Sequence, residues 1–123
     1  MTLREKAALA GLVSVQLVYG AWFAGLLPVS GMAIVAIHFV LLAIIQVIVA
    51  ARHGREPADE RDIRIAQAAA SFAFFVAMGS IVFTLAMLGL GTPPAKLVLV
   101  IVAGFALADM ARYGLQFLGY RSA

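Results

Sequence analysis

Long apolar segments alternate with short polar ones along the chain. The apolar segments span residues 7–27, 31–51, 65–90 and 95–118. Each of them reaches the length of about 20 apolar residues that an α-helix needs to cross a bilayer. A polar stretch at residues 52–64 separates the first pair of segments from the second. The pattern predicts an all-α fold: an integral membrane, antiparallel four-helix bundle that forms a single membrane domain over residues 1–123.

Composition favours the same class. The chain is 64% hydrophobic and 12% charged, whereas about a quarter of the residues of a soluble domain are charged. It contains no cysteine, which excludes disulfides and cysteine-ligated metals. The net charge of +3 would suit nucleic acid, but in a membrane protein basic residues mark topology. We therefore expect the lipid bilayer as the surroundings and no direct nucleic-acid partner.

The basic residues are distributed unevenly between the two ends of the predicted helices. Eight of the nine fall at one end: Arg4, Lys6, Arg52, Arg55, Arg61, Arg64, Arg112 and Arg121. The exception is Lys96, in the loop between the third and fourth segments. Because Lys and Arg accumulate in cytoplasmic loops, both termini and the loop at residues 52–62 are predicted to face the cytoplasm (N-in/C-in). The expected location is the cytoplasmic (inner) membrane of a prokaryote, as a multi-pass protein.

Local signals predict where the helices begin and how they pack. Candidate N-caps precede the segments; they are Thr2, Ser30, Asp59 and Thr92. Small residues recur at alternating spacings of four and three, which favours close helix packing in lipid. In the first segment this seam includes Gly11 and Ser14. In the second segment the predicted seam is Ala36, Val40, Ala43, Val47, Ala50 and Gly54.

Asp109 is the only acidic residue inside an apolar segment, and His38 is the only histidine inside one. A carboxylate in a membrane helix usually has a partner and marks a proton or cation site. The structural alternative for Asp109 is an ion pair with Arg112 near the inner membrane interface. The titration range of histidine suits proton transfer, and the alternative for His38 is a neutral side chain hydrogen-bonded across helices. His53 is too distant for metal-ligand spacing, so we expect no metal and no cofactor.

Uncharged polar side chains also fall in the cytoplasmic half of the predicted helices. They are Gln16, Gln46, Gln67 and Ser71, at a depth similar to that of Asp109. These side chains are expected either to form separate hydrogen bonds between helices or to converge with Asp109 in a small cavity open to the cytoplasm.

The polar stretch carries one recognisable motif. The sequence Asp59-Glu60-Arg61-Asp62-Ile63-Arg64 runs directly into the third apolar segment. It resembles the Asp-Glu-Arg motif between helices two and three of the DUF2178-like small four-helix prokaryotic membrane proteins of unknown function. The resemblance implies the same four-span architecture and a cytoplasmic-membrane location, and it implies no activity.

Three function classes follow. The first is a binding, regulatory or complex-subunit protein that presents a charged cytoplasmic face to a protein partner or a second copy. Its residues would be Asp59, Glu60, Arg61, Asp62 and Arg64, although capping of the third helix explains these charges as well. The second is a small oligomeric transporter or channel that uses Asp109 and the cytoplasm-side polar cluster. The third, an enzyme, is not expected: no Ser-His-Asp, H-E-x-x-H or P-loop pattern occurs, and the predicted depths of His38 and Asp109 differ.

Overall fold

The computed structural model describes residues 2–53, except the side chain of His53, and residues 59–122. The regular structure in these ranges is helical: α1 (Leu3–Phe23), α2 (Gly31–His53), α3 (Glu60–Gly89) and α4 (Pro94–Arg121). All four helices are long and apolar enough to cross a membrane, as predicted. Residues 54–58 of the predicted loop at residues 52–62, including Arg55 and Glu56, lie outside the described residues.

Helix ends follow the caps rather than the ends of the apolar segments. The side chain of Thr2 accepts a hydrogen bond from the Glu5 N–H, and α1 therefore starts four residues before the apolar segment does. At its other end α1 stops at Phe23, close to Gly25, whose φ is +78°. The predicted cap at Ser30 is confirmed by its hydrogen bond from the Ala33 N–H at 3.2 Å.

The predicted N-cap of α3 is confirmed, and that of α4 is wrong. Asp59 and Asp62 form a reciprocal capping box at the start of α3. At α4 the N-cap residue is Pro93, without a side-chain hydrogen bond, rather than Thr92. The second proline, Pro94, already has the fixed φ of a first helical residue, so the helix begins there without a hydroxyl cap.

Helix α4 is the centre of the packing. It contacts each of the other three helices, and α1 also contacts α2. No Cα atom of α2 lies within 8 Å of a Cα atom of α3 in the described residues. Since the backbones of α2 and α3 flank α4 without approaching each other, they leave a cleft with α4 as its floor.

Small residues allow the close approaches to α4. Gly104 of α4 packs directly against the Ser80 side chain, and Gly119 packs against Ile65, both on α3. Gly11 of α1 faces the ring of Tyr113. Side chains of this size let helix backbones approach closely, which replaces the hydrophobic effect as the main source of association in lipid.

The packing face of α2 differs from the predicted seam. The residues of that seam from Ala36 to Ala50 are exposed, and Gly54 lies outside the described residues. The face that packs against α1 and α4 instead carries Gly31, Ile34, His38 and Leu42, all of them buried. The polar side chain of His38 is placed inward, next to its partners, and this fixes the rotation of α2 about its axis.

Candidate functional site

His38 is the most deeply buried polar side chain of the described residues, with 1% of its surface exposed. Ile34 and Leu42, one turn before and after it on α2, are buried beside it. The ring of Tyr19 on α1 meets the imidazole edge-on, with 4.7 Å between ring centroids. A buried imidazole in such surroundings requires polar partners, and both of its nitrogens have one.

The two partners of His38 come from two other helices. Its Nε2 lies 3.3 Å from the Ser14 hydroxyl on α1. Its Nδ1 lies 3.5 Å from a carboxylate oxygen of Asp109 on α4. The prediction that different depths keep His38 and Asp109 apart is therefore wrong. Ser14 and Asp109 both lie near the middle of their helices, so Asp109 is not at a helix end.

Ser14, His38 and Asp109 stand in the order of a Ser-His-Asp triad, which no local sequence pattern reveals. Two observations distinguish the contacts of Ser14 from those of a nucleophilic serine. The Ser14 hydroxyl donates to the Gly11 carbonyl at 2.8 Å, the shorter of its two contacts. Ser14 also lies within α1, where the neighbouring backbone N–H groups are used by the helix and supply no oxyanion hole. The contacts of Ser14 are thus those of a helix residue that bonds to its own backbone and lies against His38.

The His38–Asp109 pair opens into the cleft between α2 and α3, which has a volume of about 460 Å³. Its polar lining comes from Tyr19, His38, Gln46, Asp109, Arg112 and Tyr113. Helix α3 contributes only apolar side chains, from Ala70, Ala73, Phe74 and Ala77. Asp109 is the member of the pair that faces this space, with 28% of its side chain exposed. The cleft therefore has a polar wall and an apolar wall at mid-height of the helices.

The predicted intramembrane polar residues are brought together only in part. His38, Gln46, Asp109 and Arg112 line the cleft, and Gln67 does not. Gln46 also donates to the Ala7 carbonyl of α1 at 3.2 Å. The carboxylate of Asp109 pairs with His38 and, among the described residues, not with Arg112.

Arg112 itself stacks over the ring of Tyr113, with 5.5 Å between the guanidinium carbon and the ring centroid. Gln16, Gln67 and Ser71 are exposed on the outer faces of α1 and α3.

The sequence analysis missed two residues of the site: Ser14, which it treated as a small packing residue, and Tyr19. A hydroxyl within an apolar segment was the available signal for Ser14.

The charged residues at the start of α3 hold helix ends together. The Arg61 guanidinium donates to the backbone carbonyls of Gly119 and Ser122 at the end of α4. A basic side chain at this position satisfies carbonyls that the helix leaves unpaired. Asp62 pairs with Arg4 of α1 at 3.5 Å, while it also completes the capping box with Asp59.

Glu60 and Arg64 have no comparable structural role. They pair with each other one turn apart at 3.3 Å, and their side chains are 90% and 75% exposed. Of the five residues predicted as an interaction surface, three are thus engaged in helix ends and two are available to solvent. Exposed pairs of this kind contribute little to stability.

No group of three or more potential ligands that could hold a metal ion occurs among the described residues. Comparison with known proteins gives no relative: no family model matches the chain, and neither do curated proteins or solved structures.

Proposed function

We propose that this chain is a small multi-pass membrane protein that binds a small, neutral, amphipathic molecule in the cleft between α2 and α3. The observation that carries the proposal is the buried His38–Asp109 pair facing that cleft at mid-height. An ionisable pair within a membrane helix bundle is costly to insert, and it is therefore the first place to look for function. The proposal develops the transporter class of the sequence analysis, since transport begins with such a site.

Charge and shape of the cleft favour a neutral ligand. When His38 is neutral, Asp109 and Arg112 line the cleft with opposite charges, so neither a cation nor an anion finds an unopposed partner. His38 and Asp109 offer hydrogen-bonding groups to a polar head. Phe39, Phe74 and Phe105 line the same space and suit an apolar body, which is the usual division of labour in ligand pockets.

Photolabelling tests the proposal. An octanol derivative bearing a diazirine, applied to the protein in bilayers, is expected to label Ala73 and Phe74 in preference to Phe72 and Phe75 on the outer face of α3. Substitution of Asp109→Asn preserves the shape of the side chain and removes its charge. Because a hydrogen bond to a charged group is worth about 1.5–3 kcal/mol, labelling of the cleft is expected to fall about ten-fold.

The matched control is Gln67→Ala, which removes a polar side chain of the predicted set that does not line the cleft. It is expected to leave the labelling unchanged. Octylamine and octanoate carrying the same diazirine are expected to label the cleft less than the octanol does. Equal labelling of the cleft and the outer face of α3, or an Asp109→Asn variant that labels like the wild type, would refute the ligand site.

The charge distribution along the chain supports a further part of the proposal. We place the protein in the cytoplasmic membrane of a prokaryote with both termini and the start of α3 in the cytoplasm, because eight of nine basic residues lie at those helix ends. The Asp59-Glu60-Arg61 motif supports an affiliation with the DUF2178-like membrane proteins. We propose binding rather than enzymatic catalysis, for the reasons given by the contacts of Ser14.

A second candidate function is docking of a protein partner or a second copy on the cytoplasmic face. The exposure of Glu60 and Arg64 favours it. Replacement of Asp59 and Asp62 would not test it, because those residues cap α3. The informative variant is Glu60→Ala with Arg64→Ala, which is expected to lose a co-purifying partner. Lys96→Ala, in the first turn of α4, is expected to retain it. Equal recovery with both variants would exclude this surface.

A further inference from the structure

We propose that the His38–Asp109 pair is a proton-binding site that exchanges one proton with the cleft, and that Ser14 is the residue that positions it. The inference deepens the proposed ligand site by coupling it to a proton. It rests on the proposed ligand site only for the claim that the proton is coupled to ligand binding.

The contacts of the structure accommodate a proton-loaded state, in which Ser14 donates to Gly11 and accepts from His38. Ser14 has a single hydroxyl hydrogen, which it donates to the Gly11 carbonyl at 2.8 Å. Its oxygen is then an acceptor toward His38 Nε2 at 3.3 Å, so Nε2 carries a hydrogen. His38 Nδ1 and Asp109 Oδ2, at 3.5 Å, would face each other as two acceptors unless a proton lies between them. In this arrangement the pair holds one proton more than neutral histidine with a carboxylate.

The same side chains also accommodate the state without that proton. If the Ser14 hydroxyl turns from Gly11 to Nε2, it becomes the donor to His38. Nδ1 then carries the remaining ring hydrogen and donates to the Asp109 carboxylate. The Gly11 carbonyl loses nothing essential, because carbonyls within a helix also accept from the backbone. Neither state leaves a buried polar atom unpaired, which is the usual obstacle to changing the charge of a buried group.

The surroundings allow the exchange from one side. His38 is 1% exposed and Asp109 28%, so the proton enters and leaves through Asp109 and the cleft. The other polar groups facing the pair are Tyr19 on α1, Gln46 on α2, and Arg112 and Tyr113 on α4, while α3 presents only apolar side chains. With Arg112 positive and Asp109 negative, the charges of the cleft balance without the proton, and the loaded pair adds one positive charge that Asp109 contacts directly.

Solid-state ¹⁵N NMR of His38 in bilayers tests the inference. His53→Gln removes the only other histidine of the chain and leaves a single imidazole signal. The expected result is an imidazolium signal that gives way to the neutral form with hydrogen on Nδ1 as the pH is raised. Neutral histidine that stays in one form, with hydrogen on Nε2 at every pH measured, would overturn the proposal.

Three variants distinguish a positioning role from a merely structural one. Asp109→Asn removes the counter-charge, and Ser14→Ala removes the group that accepts from Nε2; each is expected to lose the imidazolium signal about ten-fold at the same pH. Ser14→Thr keeps the hydroxyl and is expected to restore the signal. A Ser14→Ala spectrum identical to that of the wild type would contradict the assigned role of Ser14. The spectra are recorded without octanol, so failure of photolabelling and failure of proton exchange remain distinguishable.

Discussion

At the residue scale, the same type of side chain has different roles according to what it contacts. Asp59 and Asp62 satisfy backbone N–H groups at the start of α3, whereas Asp109 faces a histidine in the middle of α4. The first role was predictable from sequence, because a cap and its helix lie within four residues of each other. The second was not, because His38 and Asp109 meet only after α2 and α4 have packed.

Removal of one capping side chain is expected to destabilise the protein measurably. For Asp59→Ala we expect a loss of about 1 kcal/mol in the free energy of unfolding, because N-cap substitutions by alanine typically have this effect. Unfolding in a mixed detergent series measures it. The neighbouring Glu60→Ala is the control, and it should change the stability little because the Glu60 side chain is 90% exposed. Equal losses for the two variants would contradict the structural role of the capping box.

At the scale of elements, the rotation of α2 about its own axis could not be predicted from the sequence. A seam of small residues from Ala36 to Ala50 satisfies the rule for close helix packing, yet those residues are exposed. His38 decides the rotation, since a buried imidazole has to reach Ser14 and Asp109 on two other helices. In α1 the seam at Gly11 and Ser14 was predictable, because there the small residues are themselves the contact surface.

The contact between α3 and α4 depends on the absence of a side chain at Gly104. A methyl group there would meet the Ser80 side chain, so we expect Gly104→Ala to destabilise the protein by about 1–3 kcal/mol through overpacking. Thermal unfolding in detergent measures the change. Gly79→Ala on α3 is the matched control, because no atom lies within 4 Å of the position that its Cβ would occupy. Ser80→Gly is expected to rescue Gly104→Ala, and failure of this rescue would place the steric conflict elsewhere.

At the scale of the whole molecule, the class of protein and the number of helices were predictable, and the cleft was not. Apolar length alone indicates four spans, and the structure has four such helices. The open space between α2 and α3 follows from which helix occupies the centre of the packing. That choice depends on long-range contacts of α4 with all three other helices, which hydropathy does not encode.

Orientation in the membrane is a prediction about the whole molecule that cysteine labelling measures directly. The chain has no cysteine, so single cysteines can be introduced at will. A membrane-impermeant maleimide added to intact cells with the outer membrane opened is expected to label Val29→Cys and not Ser122→Cys. Ser122→Cys should react only after the inner membrane is permeabilised. The reverse pattern would invert the topology inferred from the basic residues.

The central claim is that the cleft admits polar molecules to the His38–Asp109 pair at mid-height of the helices. The most direct measurement compares two single cysteines on α3, Ala73→Cys in the cleft and Ser71→Cys on the exposed face outside it. A small water-soluble thiol reagent reacts with thiolate, which forms in water and not in lipid. In bilayers we expect the reaction at Ala73→Cys to be at least about ten-fold faster than that at Ser71→Cys. Equal rates, or a faster reaction at Ser71→Cys, would contradict an open polar cleft.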